Sequence, residues 1–403
     1  MILWLYLFLI IFINGFEAGG YQASIYSISQ TYDLSVTKMG LFAAVELLAT
    51  MLAPLLLGSW ADRTKKTKCL LILLGIQTVF SMTIFFQNSV IDCLNLLGLT
   101  ISADNVFVAC IFFLGLTTSA LQFIAIATLA ESYPATGKKK IGFMTSMYAL
   151  GALLAPLFVE FYLSRGISWR MIFIMLTIGS VIAFAGVFAC RNSKFEDATG
   201  AVDEVNEGNT GFIVTGVLLL CVVMCIYVGF ENGFAYFVDT LFIKELNSPY
   251  GNYALSIFWA VMIPSRVLVG IFSKHARKIL LAAVITIPVV TIMISMMNSG
   301  IPSMLLCIPL GFASGAIYPS VLTTLMRFSG NRKALATAMI TTATGIGGAL
   351  FTALTGILAG FYGRVLTGNI AIRATMVTLA AFFLLSLEAV IFVGKIGSLK
   401  EEK

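Results

Sequence analysis

The chain has 403 residues, 59% of them hydrophobic and 11% charged, with a mean hydropathy of +0.98. Soluble domains carry roughly 25% charged residues, so a water-soluble fold is excluded. The net charge of +6 does not point to nucleic acid, because the basic residues sit in short turns between apolar runs and form no patch or basic helix; it orients the chain in a membrane.

Twelve apolar stretches are long enough to span a bilayer, near 3–28, 39–60, 69–87, 106–131, 141–163, 169–190, 211–243, 251–272, 279–297, 301–326, 333–361 and 371–394. The first has no basic n-region and no small-residue cleavage site over residues 1–16, so it reads as a retained span and not as a signal peptide. Between the second and third lies a strongly basic turn, Gly58 to Lys68, with Asp62, Arg63, Lys65, Lys66 and Lys68. Short Lys/Arg-rich loops stay in the cytoplasm. With that turn inside, 18 of the 25 Lys and Arg residues fall inside, six fall outside and Arg266 remains in a span. Both termini are then expected in the cytoplasm. Residues 88–105 are expected to be a surface loop, and the polar stretch 191–210, rich in Glu, Asp and Gly, a solvated linker between a bundle at 1–190 and a bundle at 211–403. The seven cysteines are mostly in apolar spans and suggest no disulfide framework.

The two halves repeat. Gly15-Phe16-Glu17-Ala-Gly19 recurs as Gly229-Phe230-Glu231-Asn-Gly233 at an offset of 214, and the turn at Gly58 has a weak echo at Gly270, at 212. Gly115 and Gly151 match Gly311 and Gly347 at an offset of 196, as an insertion of 18 residues within 88–105 would produce. Two six-helix halves repeated in parallel are a transporter construction.

These features resemble the major facilitator superfamily over essentially the whole chain, the basic turn matching that family's motif between its second and third helices. The resemblance implies an all-α membrane protein of twelve transmembrane helices in two six-helix pseudo-repeat bundles. Tyr227 to Glu231, Ser265 to Gly270 and Gly311 to Pro319 look like the fucose-permease-like sugar symporter branch, although Thr117 and Thr118 stand where that branch has an acidic residue. Gly142, Gly151 and Ala155-Pro156 approximate the drug-antiporter pattern, departing from it at Ala155, Val159 and Glu160. In the family Asp62 and Arg63, with Gly58 and Lys66, latch a cytoplasmic gate, and Glu131 resembles the acidic partner. Gly151 and Gly347 are expected to permit close packing between the halves.

A carboxylate at the bilayer centre costs about 2.5–3.5 kcal/mol on insertion scales, so intramembrane polar groups are the functional candidates. Glu17 shares a helical face with Asn14, Tyr21 and Ser24. Its repeat partner Glu231 is flanked by Tyr227 and Asn232, and in this family the first and seventh helices would bring the two to opposite walls of one site. Desolvation favours the protonated form of a carboxyl group, so either can carry a proton; each can equally bond a neighbouring helix. Glu46 is a third proton candidate. Arg266 can snorkel, pair with a carboxylate or hold an anion. Gln122 and Tyr318, equivalent at an offset of 196, suit a polyol or another neutral polar solute, and hydroxyls in these helices can also serve packing.

No HExxH, rhomboid-type GxSG, Cys/His cluster or GxxxxGK[ST] occurs, so neither enzyme, metalloprotein nor ATP-driven pump is expected. The reading is a secondary active transporter of a small polar, sugar-like solute, working by alternating access as a proton-coupled symporter in the cell membrane. Its partners would be that solute and the lipid bilayer, with no nucleic acid, and it would be a monomer. The alternative is a proton-driven exporter of amphipathic compounds. No cofactor beyond the ion gradient is expected, and sodium stays open, because a carboxylate with hydroxyl or backbone oxygens serves either ion.

Overall fold

Apolar side chains recur all round most of these segments, so every helix needs either lipid or another helix on each face. The computed structural model describes residues 3–132, 137–191, 212–330, 333–367 and 369–401, all of whose regular elements are helical. The first helices are α1 (Leu3–Thr31), α2 (Val36–Arg63), α3 (Lys66–Phe85), α4 (Gln87–Leu96), α5 (Ala103–Ser132), α6 (Gly137–Leu163) and α7 (Met171–Cys190). Then follow α8 (Val214–Lys244), α9 (Gly251–Ile271), a 3-10 turn at Ser273–His275, α10 (Ala276–Met296), α11 (Gly300–Ser329), α12 (Lys333–Val365), α13 (Ala371–Ala381) and α14 (Phe383–Glu401). Among the described residues twelve helical stretches are long and apolar enough to cross a membrane, as expected; α13 and α14 together make the last, Ala371–Ile396. The chain is an integral multi-pass membrane protein.

Two compact units form, one of Met1–Asp33 with Val45–Val205, the other of Leu34–Ala44 with Asn206–Lys403. In the first, α1 packs chiefly on α6, and in the second α8 packs chiefly on α12. Glycine makes both crossings possible. A Cβ on Gly15 would strike the Tyr148 backbone, one on Gly151 the backbone of Phe12 and Phe16, and one on Gly347 the backbone of Cys225. This corrects the expectation for Gly151 and Gly347: the close approach each permits is to a helix of its own unit. Both first helices also end alike. Asp33 (φ 50°) and Asn247 (φ 53°) follow α1 and α8 in the left-handed conformation, at the same offset of 214 as the glutamates. Asp and Asn tolerate this conformation better than other non-glycine residues.

Two local expectations are also revised. The basic turn is tighter than 62–68, with only Thr64 and Lys65 between α2 and α3. Residues 87–96 are the helix α4 and not loop, because Gln87, Val90, Ile91 and Leu94 recur at helical spacing and form its buried and half-buried face. Gln87 anchors that helix. Its side chain joins the Tyr32 hydroxyl and the Ala103 carbonyl, and Arg170 donates to it at 3.4 Å.

At the corresponding end of the second unit the clamp is ionic. Glu245 accepts from the backbone N–H of Ile372 and, at 3.1 Å, of Arg373, whose guanidinium lies 3.6 Å away and donates at 2.9 Å to Asn298. Burial pushes the Glu245 carboxyl up; the two N–H donors and Arg373 oppose the shift without cancelling it.

Candidate functional site

In the first unit, α1 carries Asn14, Glu17, Tyr21 and Ser24 on one face, and all four are buried, Glu17 to 1% exposure. The stripe expected from their spacing therefore exists, but its members do different things. Asn14 is a crosslink: its amide donates to the Thr118 carbonyl on α5 at 2.9 Å and accepts from Gln77 on α3 at 3.4 Å. Gln77 in turn accepts from Ser180 on α7 at 3.1 Å. Four helices thus share one polar chain. Sequence reasoning missed Gln77, having scanned the third span for charge; its place four residues before Ser81, whose hydroxyl bonds Thr177 on α7 at 2.8 Å, was the available signal.

Glu17 belongs to no such chain. Neither of its carboxyl oxygens has a hydrogen-bond partner among the described residues. Its charged neighbour is Glu46 on α2, itself 3% exposed, and Tyr21 lies within electrostatic reach of both. α5 passes close to α2 here: a Cβ on Gly115 would stand 2.6 Å from the backbone carbonyl oxygen of Glu46. Like charges repel strongly in a medium of low dielectric. Gln122 follows one turn beyond Thr118 on α5, half-buried.

In the second unit Tyr227 and Glu231, one turn apart on α8, are buried, while Asn232 is half-buried and spends its amide on the Val228 carbonyl of its own helix at 2.9 Å. Arg266 of α9 is the cation that acts on Glu231, on Tyr227 and on Tyr318 of α11. Of the three roles open to Arg266, electrostatic partner of Glu231 is the one this geometry favours. Its Nε, like the hydroxyls of Tyr227 and of Ser314 on α11, is buried with no hydrogen-bond partner among the described residues. Opposite charges, a phenol and a hydroxyl with spare capacity are equipment for binding a polar solute.

Of the residues expected at a gate, Gly58 meets nothing within 4 Å of where a Cβ would stand, Arg63 is exposed and Lys66 begins α3 half-buried. The side chains of Asp62 and Glu131 lie outside the described residues. Among the described residues no group of three or more His, Cys, Asp or Glu is placed to hold a metal ion.

A bundle of twelve spans with paired glutamates in repeated helices is the frame of a membrane carrier. The sequence profile of the Major Facilitator Superfamily matches residues 7–352, and the chain belongs to that superfamily. No curated protein matches it. Among solved structures it is similar to a bacterial homolog of the human lysosomal transporter Spinster, in an inward-facing and occupied conformation, with a TM-score of 0.75, 13% identity and coverage of 97% of this chain and 96% of that one. A D-xylose–proton symporter matches with a TM-score of 0.73 and 15% identity over 97% and 96% of the two chains. A proton-dependent oligopeptide transporter matches with a TM-score of 0.74 and 10% identity over 100% and 99%. At these identities the likeness concerns the fold.

Proposed function

We propose that this transporter imports a small polar, sugar-like solute by alternating access and couples the movement to protons. Glu17, with Glu46 beside it, takes up and releases the proton. Glu231, Tyr227, Arg266 and Tyr318, with Asn232 beside Glu231 on α8, bind the solute, and Gln122 of the first unit is a further binding residue. The observation that carries this reading is the buried Glu17 carboxyl group, which has no hydrogen-bond donor among the described residues and a second acid for its neighbour. An unpaired polar group in such a place costs free energy, and a structural role would have given it a partner, as Asn14 has. Solved structures of the same fold that include a D-xylose–proton symporter and proton-dependent oligopeptide transporters agree with ion-coupled uptake.

The accompanying arrangement is two six-helix bundles, 1–190 and 211–403, joined by a cytoplasmic linker at 191–210, with both termini in the cytoplasm of a monomer in the cell membrane. Its gate is formed by Gly58, Asp62, Arg63, Lys66 and Glu131. The charge asymmetry of the turns supports this orientation.

The test is internal pH in proteoliposomes as sugars, and then amphipathic cations, are added outside. Acidification with a sugar, abolished in Glu17→Gln, is expected. Alkalinisation with cations would make the protein an exporter. Labelled solute crossing without proton movement, equally in wild type and variant, would remove the coupling.

A further inference from the structure

At the end of the second unit where α9 gives way to α10, a cavity of about 250 Å³ is bordered by Lys274, His275, Arg277, Lys278 and Arg327, and no carboxylate is among the described residues that line it. Threonines 323 and 324 and Ser273 supply hydroxyls to the same wall. Beside it is a second cavity of about 290 Å³, which shares Arg277 and Lys278, adds Lys395, and is otherwise lined by Leu281, Val390, Ile391 and Gly394. Arg277 stands between the two, its guanidinium 3.4 Å from the Gly394 carbonyl of α14.

This concentration of like charge needs explaining. The cations of the other basic turn are spread along the ends of two helices, whereas here they converge on a concave surface where three candidate spans, Gly251–Ile271, Ser273–Met296 and Gly300–Ser329, come to their ends. An anion that enters either cavity is attracted by Arg277 and Lys278, which line both. The pairing of a cationic cavity with a partly apolar one, at the level where spans meet water, matches an amphiphile whose charged part is a phosphate. Basic pockets between transmembrane helices hold anionic headgroups by this chemistry. The transport reading uses none of these residues.

We propose that the two adjoining cavities form one site for a phosphate-bearing anion, with the phosphate at Arg277 and Lys278 and, when the anion is a phospholipid, its glycerol and acyl carbons against Leu281, Val390 and Ile391.

The experiment is native mass spectrometry of the full chain in detergent with phosphatidylglycerol or phosphatidylcholine, for wild type, Arg277→Gln/Lys278→Gln and the charge-matched control Lys65→Gln/Lys68→Gln. Wild type and control should retain phosphatidylglycerol in preference to phosphatidylcholine. The Arg277/Lys278 variant should retain it roughly 30-fold less, the change expected when two juxtamembrane cations are removed. Should that variant not yield monodisperse protein, Lys274→Gln/Lys278→Gln, also at exposed positions, replaces it. In a second arm inorganic phosphate is added. Failure of phosphate to displace the lipid identifies a phospholipid as the occupant; displacement, with phosphate raising the melting temperature of wild type and not of the variant, identifies a free phosphate compound. Equal lipid retention by variant and wild type, or an equal loss in the control, together with no effect of phosphate, would overturn the site.

Discussion

In the first unit Glu17 has a second acid, Glu46, for its charged neighbour and no hydrogen-bond donor among the described residues, whereas Glu231, its equivalent in the repeat, has Arg266 on α9 and Tyr227 one turn before it. The repeat itself explains the divergence. At the offset of 212, Glu46 corresponds to Phe258 and Arg266 to Pro54, so each unit kept the glutamate of its first helix and acquired a different partner on its second. A like charge repels the carboxylate of one unit and an opposite charge attracts that of the other. One repeated position thus has two different electrostatic surroundings, and the transport reading proposed above assigns the proton to one and the solute to the other.

The largest expected effect tests what the units share and not how they differ. Gly151→Leu and Gly347→Leu should each abolish folded protein in size-exclusion chromatography, because in both crossings the new side chain would meet backbone with no room to yield. A well-folded Gly347→Leu protein would show that the α8–α12 crossing is looser than its counterpart.

Next comes the charge pair. Arg266→Gln should cost about 3–5 kcal/mol, since it removes one partner of a buried pair of opposite charges, and solute uptake should be lost. The double change Glu231→Gln/Arg266→Gln should recover thermal stability without recovering transport. If the double variant melts as low as the single one, the pair is not electrostatic and the contrast between the units falls.

Glu17→Gln should behave in the opposite way. Removing a carboxyl group that has no donor leaves stability unchanged or slightly higher, while proton movement disappears and solute exchange between loaded vesicles persists. A destabilised Glu17→Gln protein, measured by thermal melting, would mean that Glu17 has a structural partner after all.

The smallest effect concerns the clamp at Glu245. Because burial holds its carboxyl above the usual range, the folded chain keeps this proton where the unfolded chain, with a value of about 4.3, has released it. Stability from this group is therefore fully present below the unfolded value and is lost as pH rises through the raised native one. Melting temperatures of wild type should rise on mild acidification relative to those of Glu245→Gln; parallel curves would show that the donors from Ile372 and Arg373 outweigh burial.

The spans, their number and the repeat were legible because hydropathy and spacing are local properties of the chain, as were the buried stripe on α1 and the candidacy of both glutamates. Helix α4 was legible too, in the spacing of Gln87, Val90, Ile91 and Leu94, yet polar flanking residues disguised it as loop. Gln77 was legible only as a polar residue one turn before Ser81, since an uncharged amide in an apolar span carries no mark of its partner until α1 and α7 are brought beside it.

By itself, then, the sequence determined that this chain lives in a membrane, crosses it twelve times and repeats itself, because burial in lipid requires long apolar helices and leaves polar residues conspicuous. Only the tertiary structure decided what each conspicuous residue meets: Asn14 bonded into a crosslink, Glu17 beside another acid, Glu231 beside a cation, and Gly151 and Gly347 each against a helix of its own unit. Such pairings are set by distances across helices, where a side chain's charge state and cost depend on neighbours tens or hundreds of residues away.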